Sequence, residues 1–164
     1  MTNTFKGLED LLVMSPWQRD RNIWKYNDGG RKAAGFKGEA AGDCVTRAIA
    51  IATRSPYKWV YDEINYRISM DVDAHPKSGA RTGVPRKVYQ PFLEEFGFEW
   101  IPIMKVGSGT TTHLRADELP SGMIVARVSK HLCAVKDGVV LDTHDPTRGG
   151  TRAVYGWFEL GPLR

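Results

Sequence analysis

Cysteine is scarce in this chain: two, Cys44 and Cys133, occur in 164 residues. Two cysteines cannot supply the stapled framework of a small secreted domain, so a reducing, intracellular setting is the simpler expectation. Long apolar runs are missing as well. No stretch approaches the ~20 apolar residues of a membrane helix, and the run 8–14 is broken by Glu9 and Asp10. The first residues lack the basic start and apolar stretch of a secretory signal. A cytoplasmic location without a membrane partner is therefore expected. No internal repeat or low-complexity tract is present.

Charge of one sign is not gathered anywhere. Lys and Arg number 23 against 19 Asp and Glu, giving a net charge of +4. The scattered basic residues argue against a dedicated nucleic-acid role, while the mild excess permits contact with an anionic partner. The pairs Gly29-Gly30 and Gly149-Gly150 lack phosphate-loop spacing and the lysine and hydroxyl residue that follow it, so no nucleotide cofactor is expected.

What the chain does have is apolar content: 41% hydrophobic residues, enough for one domain spanning 1–164 to bury a core. Residues 1–42 read as an irregular N-terminal arm, aromatic and glycine-rich, with Trp17, Trp24 and Tyr26 pinning it to the body. The helical part spans 43–97. Asp43 is a good N-cap residue for a helix that is apolar nearly all round and ends near Ser55, because Pro56 disfavours helical geometry in its predecessor. A second helix starts at Pro56 and carries Trp59, Val60, Ile64 and Tyr66 or Ile68 on one side. A third covers 84–96. The segment 98–164 reads as an antiparallel sheet, with one helical turn at 114–119. Strands are expected over 98–103, 123–128, 132–135, 139–141 and 151–160. Lys136-Asp137-Gly138 between two apolar runs is a hairpin signal. Helices followed by an antiparallel sheet belong to the α+β class.

Cys44 stands at the first turn of a buried helix, where the positive end of the helix dipole favours a thiolate. Gly42 leaves room around it. The alternative is a small cysteine packing as a hydrophobe. A nucleophilic cysteine needs a base, and the base needs an orienting group. If the hairpin turns on Asp137-Gly138, Lys136 faces Val139, Val135 faces Val140 and Cys133 faces Asp142. His131 and Cys133 then point to the same face, with Asp142 diagonal to His131 and within side-chain reach. Asp142 is the preferred orienter and Asp145 the reserve. A purely structural histidine is the competing account of His131. Arg47, one turn after Cys44, suits a structural ion pair or an effect on the thiol. Cys133 suits core packing. The run Asp142, His144 and Asp145 matches no specific metal signature, so no metal is expected.

A cysteine opening a buried helix early, a histidine opening a strand late and an acid on the next strand resemble the papain-like cysteine peptidase superfamily over residues 42–160. The segments GDCVTRAIAIAT, PYKWVYDEIN and HLCAVKDGVVLDTHD look like those of small phage- and prophage-encoded members. The resemblance implies a papain-like fold. It also implies a protein or peptide substrate, and cleavage of a peptide, isopeptide or related amide bond through a thioester acyl-enzyme. Cys44 would be the nucleophile, His131 the general base and acid, and Asp142 the orienter. No cofactor is implied. A phage origin would place the protein in the host cytoplasm. One departure stands out. Many papain-like enzymes carry an oxyanion-binding glutamine shortly before the cysteine, whereas Gly38, Glu39, Ala40, Ala41, Gly42 and Asp43 precede Cys44 here. The Cys44 backbone N–H and Asn27 are the oxyanion-hole candidates, with Gln18 behind them. A weak or inactive binding protein on the same fold, directed at a host protein or nucleic acid, is the alternative. Acyl transfer would use the same triad.

Overall fold

The computed structural model describes residues 24–38, 42–105, 107–109 and 111–162. In chain order its elements are β1 (Trp24–Tyr26), α1 (Cys44–Thr53), α2 (Tyr57–Ser69), α3 (Arg86–Glu95), β2 (Phe98–Pro102), β3 (Met123–Val128), β4 (His131–Lys136), β5 (Val139–Asp142) and β6 (Val154–Leu160). The class is α+β, with a six-stranded sheet ordered β1-β5-β4-β3-β6-β2. No helix among the described residues is long and apolar enough to cross a membrane. Trp17 and Gln18 lie outside the described residues.

The β4–β5 hairpin has the register expected from its turn: Lys136 pairs with Val139 and Val135 with Val140. Asp137 and Gly138 both take positive φ, at 49° and 80°, which is what a two-residue turn compatible with strand twist requires. A methyl group on Gly138 would also sit 2.8 Å from the Ala116 side chain.

The sheet is mixed, not wholly antiparallel as expected. β1 emerges from the supposedly irregular arm and pairs in parallel with β5, Trp24 against Val140 and Tyr26 against Asp142. Parallel pairing between distant segments carries no turn signal and, over three residues, no readable periodicity. The contact is reinforced at Asp142, whose backbone carbonyl accepts from Trp24 Nε1 at 3.2 Å and from the Asn27 backbone N–H at 2.9 Å.

α1 stops at Arg54, which adopts a left-handed φ of 56° just before Ser55-Pro56. Its buried residues run continuously from Val45 to Ala50, as its apolar surround predicts. α2 turns Tyr57, Val60 and Ile64 inward with Ile68 packed against the same core, while Trp59 and Tyr66 stay exposed. Trp59 edges against Phe92 and Phe96, tying α2 to α3. Segment 114–119 forms turns rather than a helical turn, with Glu118 folded back so that its carboxylate accepts from the His113 backbone N–H at 2.6 Å.

Alternation along the strands divides the core. Val125, Leu132 and Phe158 join Val45, Ile49, Val60, Ile64 and Phe92 in the cluster under the helices. Ile124, Ala126, Cys133, Val135 and Trp157 form a second cluster with Leu114. Burying a side chain such as Ile49 or Phe158 stabilises the fold by ~1.5–3 kcal/mol. α1 lies chiefly on β4. This packing carries the start of the helix to the start of β4 and the end of β5.

Candidate active site

Three residues at the ends of three elements meet here. Cys44 opens α1, His131 opens β4 and Asp142 closes β5. The hairpin brings the last two to the same end of the sheet, and His131 Nε2 lies 2.6 Å from Asp142 Oδ2. His131 and Leu132 line the same cleft as Cys44, near enough to the sulfur for the imidazole and the Leu132 backbone N–H to favour its thiolate. With Nε2 taken by Asp142, Nδ1 is the nitrogen left for the thiol. Cys44 is half-buried and lines a cleft of about 290 Å³ together with His131, Val45, Val84 and Leu132.

The electrostatics favour a charged pair. Burial of Cys44 works against its thiolate, yet the hydrogen bond and charge of His131 and the Leu132 N–H outweigh it, and the thiol pKa lies below its ordinary value. Burial likewise disfavours the imidazolium. Hydrogen bonds to Asp142 and Cys44, with their negative charges, reverse that and raise His131 to about 9. Asp142 is desolvated too, but His131, Arg47 and the Thr143 backbone N–H hold its carboxyl below the usual value. Cys133 is different: burial pushes its thiol far up. It packs in the second core cluster as a hydrophobe.

Behind this group runs a buried chain of charges. Arg47 Nη2 donates to Asp142 Oδ1 at 2.9 Å, and Arg47 Nη1 donates to Asp43 Oδ1. Asp43 is fully buried and does not cap α1 with its side chain, correcting the expectation. Its carboxylate instead accepts from Arg31 at 3.1 Å and from the Tyr57 hydroxyl at 2.8 Å. A carboxylate out of water takes charged donors ahead of a backbone amide. Gly42, just before it, adopts φ of 113°, and a Cβ there would approach the Arg81 carbonyl to 3.0 Å, so glycine is needed for the chain to enter the helix at this angle.

The remaining expected residues are placed as follows. Asp145 does not reach His131. Its Oδ1 accepts from the Thr147 backbone N–H at 2.9 Å, because the chain leaves β5 after Asp142 and turns. Asn27 is not among the cleft-lining residues. Its Oδ1 accepts from the Gly29 backbone N–H at 2.8 Å in a local turn. The first backbone N–H groups of α1, that of Cys44 included, have no carbonyl partner within the helix. They remain the local source of oxyanion donors.

His144 was missed as a neighbour. Its ring centre lies 5.3 Å from that of His131, and donor atoms of His131, Asp142 and His144 all fall within 4.8 Å of one another. A cation held there would draw on the same imidazole and carboxylate that serve Cys44. Arg86, Arg127 and Lys130 also line the cleft. They come from α3, β3 and the β3–β4 turn, and no local pattern in the sequence links them.

Comparison with protein-family models, with curated proteins and with solved structures finds no match for this chain.

Proposed function

We propose that the chain is a papain-like cysteine hydrolase acting on a peptide, isopeptide or related amide bond. The observation that carries this is the His131–Asp142 pair, 2.6 Å apart, in an open cleft that the half-buried Cys44 also lines, with the sulfur at a helix start. Nucleophile, base and orienter stand in the order that covalent acyl chemistry needs. The Cys44 thiolate attacks the carbonyl carbon, and charge on the carbonyl oxygen is met by backbone N–H groups at the start of α1. His131, as imidazolium, protonates the leaving nitrogen. The neutral imidazole then takes a proton from water, which opens the thioester, releases the acid and restores the Cys44 thiolate beside the imidazolium. Asp142 keeps the ring turned toward the sulfur and stabilises its charged form.

The test is alkylation by iodoacetamide at neutral pH with peptide mapping. Cys44 is expected to react about tenfold or more faster than an unactivated thiol. Replacing His131 by alanine should abolish the difference. Labelling of Cys44 at an ordinary thiol rate, unchanged in His131→Ala, would sink the proposal.

The absence of a glutamine in the six positions before Cys44 favours a second reading, a binding protein on the same fold. It shares the cleft but needs no activated sulfur, so the same alkylation rate separates the two.

A further inference from the structure

The cleft beside Cys44 is lined by Arg86, Arg127 and Lys130 and, among the described residues, by no aspartate or glutamate. A second cavity of about 500 Å³ shares Arg86 and Arg127 with it and adds Lys105. Among the described residues, four cations and no acid therefore line these two cavities, in a chain with 23 basic and 19 acidic residues overall. Among the described residues, none of the four is in a salt bridge.

These arginines are held in place by neutral contacts. The Arg86 guanidinium lies 4.4 Å from the centre of the Trp100 ring, and its Nε donates to Gln90 Oε1 at 2.8 Å. Arg127 sits 5.6 Å over the Tyr155 ring, and Tyr89 lines the same cleft. Aromatic stacking and neutral hydrogen bonds orient a guanidinium without neutralising it. Two like charges facing one cavity repel each other, and an anion between them removes that repulsion. Planar guanidinium forks suit a carboxylate bidentately.

We infer that this groove selects acidic substrates: the Cys44 hydrolase cleaves beside aspartate or glutamate side chains, which Arg86 and Arg127 engage. The inference rests on the hydrolase proposal, because the sulfur is what makes an acyl compound the occupant rather than another anion. Ligand pockets run from ~300 to ~1,000 Å³, so a cleft of about 290 Å³ admits the side chains flanking one bond, not a folded partner.

The experiment compares two alkylating probes on the native protein, anionic iodoacetate and neutral iodoacetamide, each reading the rate at Cys44. A basic cleft raises the iodoacetate-to-iodoacetamide rate ratio above that of a small free thiol by about tenfold at low salt, and added salt erodes it. The double variant Arg86→Gln/Arg127→Gln should lower the ratio several-fold toward the free-thiol value, leaving only what Lys130 and His131 contribute. The salt titration of the unmodified protein decides the matter even where that variant fails to fold. In a second arm, polyglutamate and a single-stranded oligothymidylate are each asked to protect Cys44 from iodoacetamide. Stronger protection by polyglutamate is expected. Rapid alkylation with no preference for the anionic reagent would overturn the acidic selectivity while leaving the hydrolase proposal standing. Better protection by the oligonucleotide would overturn it in favour of a nucleic-acid groove. Slow alkylation by both reagents would remove the hydrolase proposal and this inference with it.

Discussion

Arg47 joins Asp43 to Asp142: one side of its guanidinium meets the first carboxylate and Nη2 lies 2.9 Å from Oδ1 of the second. The start of α1, which carries the sulfur, is thereby tied to the end of β5, which carries the group orienting His131. All three side chains are nearly excluded from solvent. Their pairing is therefore little screened, and removing one partner leaves buried charge behind.

Arg47→Met should consequently destabilise the fold by about 3–5 kcal/mol, the usual penalty for stranding a buried ion. Urea denaturation is the measurement, read as a lowered midpoint with unchanged slope. An unaltered midpoint would show that the network contributes nothing net.

Asp142→Asn should shift the pH dependence of Cys44 alkylation and of any hydrolysis. His131 is raised to about 9 in part by its hydrogen bond and charge interaction with Asp142. In the unmodified protein, any hydrolytic activity is expected to fall on the alkaline side as His131, raised to about 9, loses its proton. Without the carboxylate that limb moves to lower pH. A limb that stays in place would mean that another group titrates there.

The same shift bears on stability. The folded pKa of His131 is above its ordinary value of 6.5, so the folded state binds its proton more tightly. The stabilisation from charged His131 is complete below pH 6.5 and is lost as pH rises through about 9. His131→Ala should flatten this part of a plot of urea midpoint against pH. An unchanged slope would contradict the assignment.

Cys133 and Cys44 should separate cleanly in labelling. Burial raises the Cys133 thiol and encloses it among Val135, Ala126 and Trp157. Native protein is expected to take up one alkyl group per chain, on Cys44, and a second only after unfolding. Cys133→Ser places a hydroxyl in that apolar cluster and should cost about 1–3 kcal/mol, seen in the urea midpoint. Rapid native labelling of Cys133 would mean that this cluster opens readily.

Gly138→Ala should destabilise by about 1 kcal/mol or more, because a side chain at its φ of 80° is strained and would press on Ala116. The hairpin that pairs His131 with Asp142 turns here, so alkylation of Cys44 should slow alongside the loss of stability. A variant of full stability would show that the turn tolerates a Cβ.

The residues of the hairpin explain why so much of the candidate site was legible. Asp137-Gly138 demands a two-residue turn, the turn sets the register, and a period of two puts Asp142 diagonal to His131. Cys44 was legible because Gly42-Asp43 precedes a run apolar on nearly every side. β1 was not, because its partner β5 lies over a hundred residues away and parallel pairing leaves no local trace. Asp43 was misread as a cap because capping is a local preference, while its burial beside Arg31, Arg47 and Tyr57 is a tertiary event.

Taken alone, the order of residues determined what nearest-neighbour forces control: where α1 begins and ends, how β4 turns into β5, and which side chains share a strand face. Only the tertiary structure decided that α1 would pack on β4 and bring sulfur to imidazole. It alone joined two carboxylates through Arg47 and gathered Arg86, Arg127 and Lys130 around one groove. Backbone geometry acts over a few residues and leaves its mark in composition. Packing and charge act between residues that are strangers in sequence, and they take effect only once the chain has closed on itself.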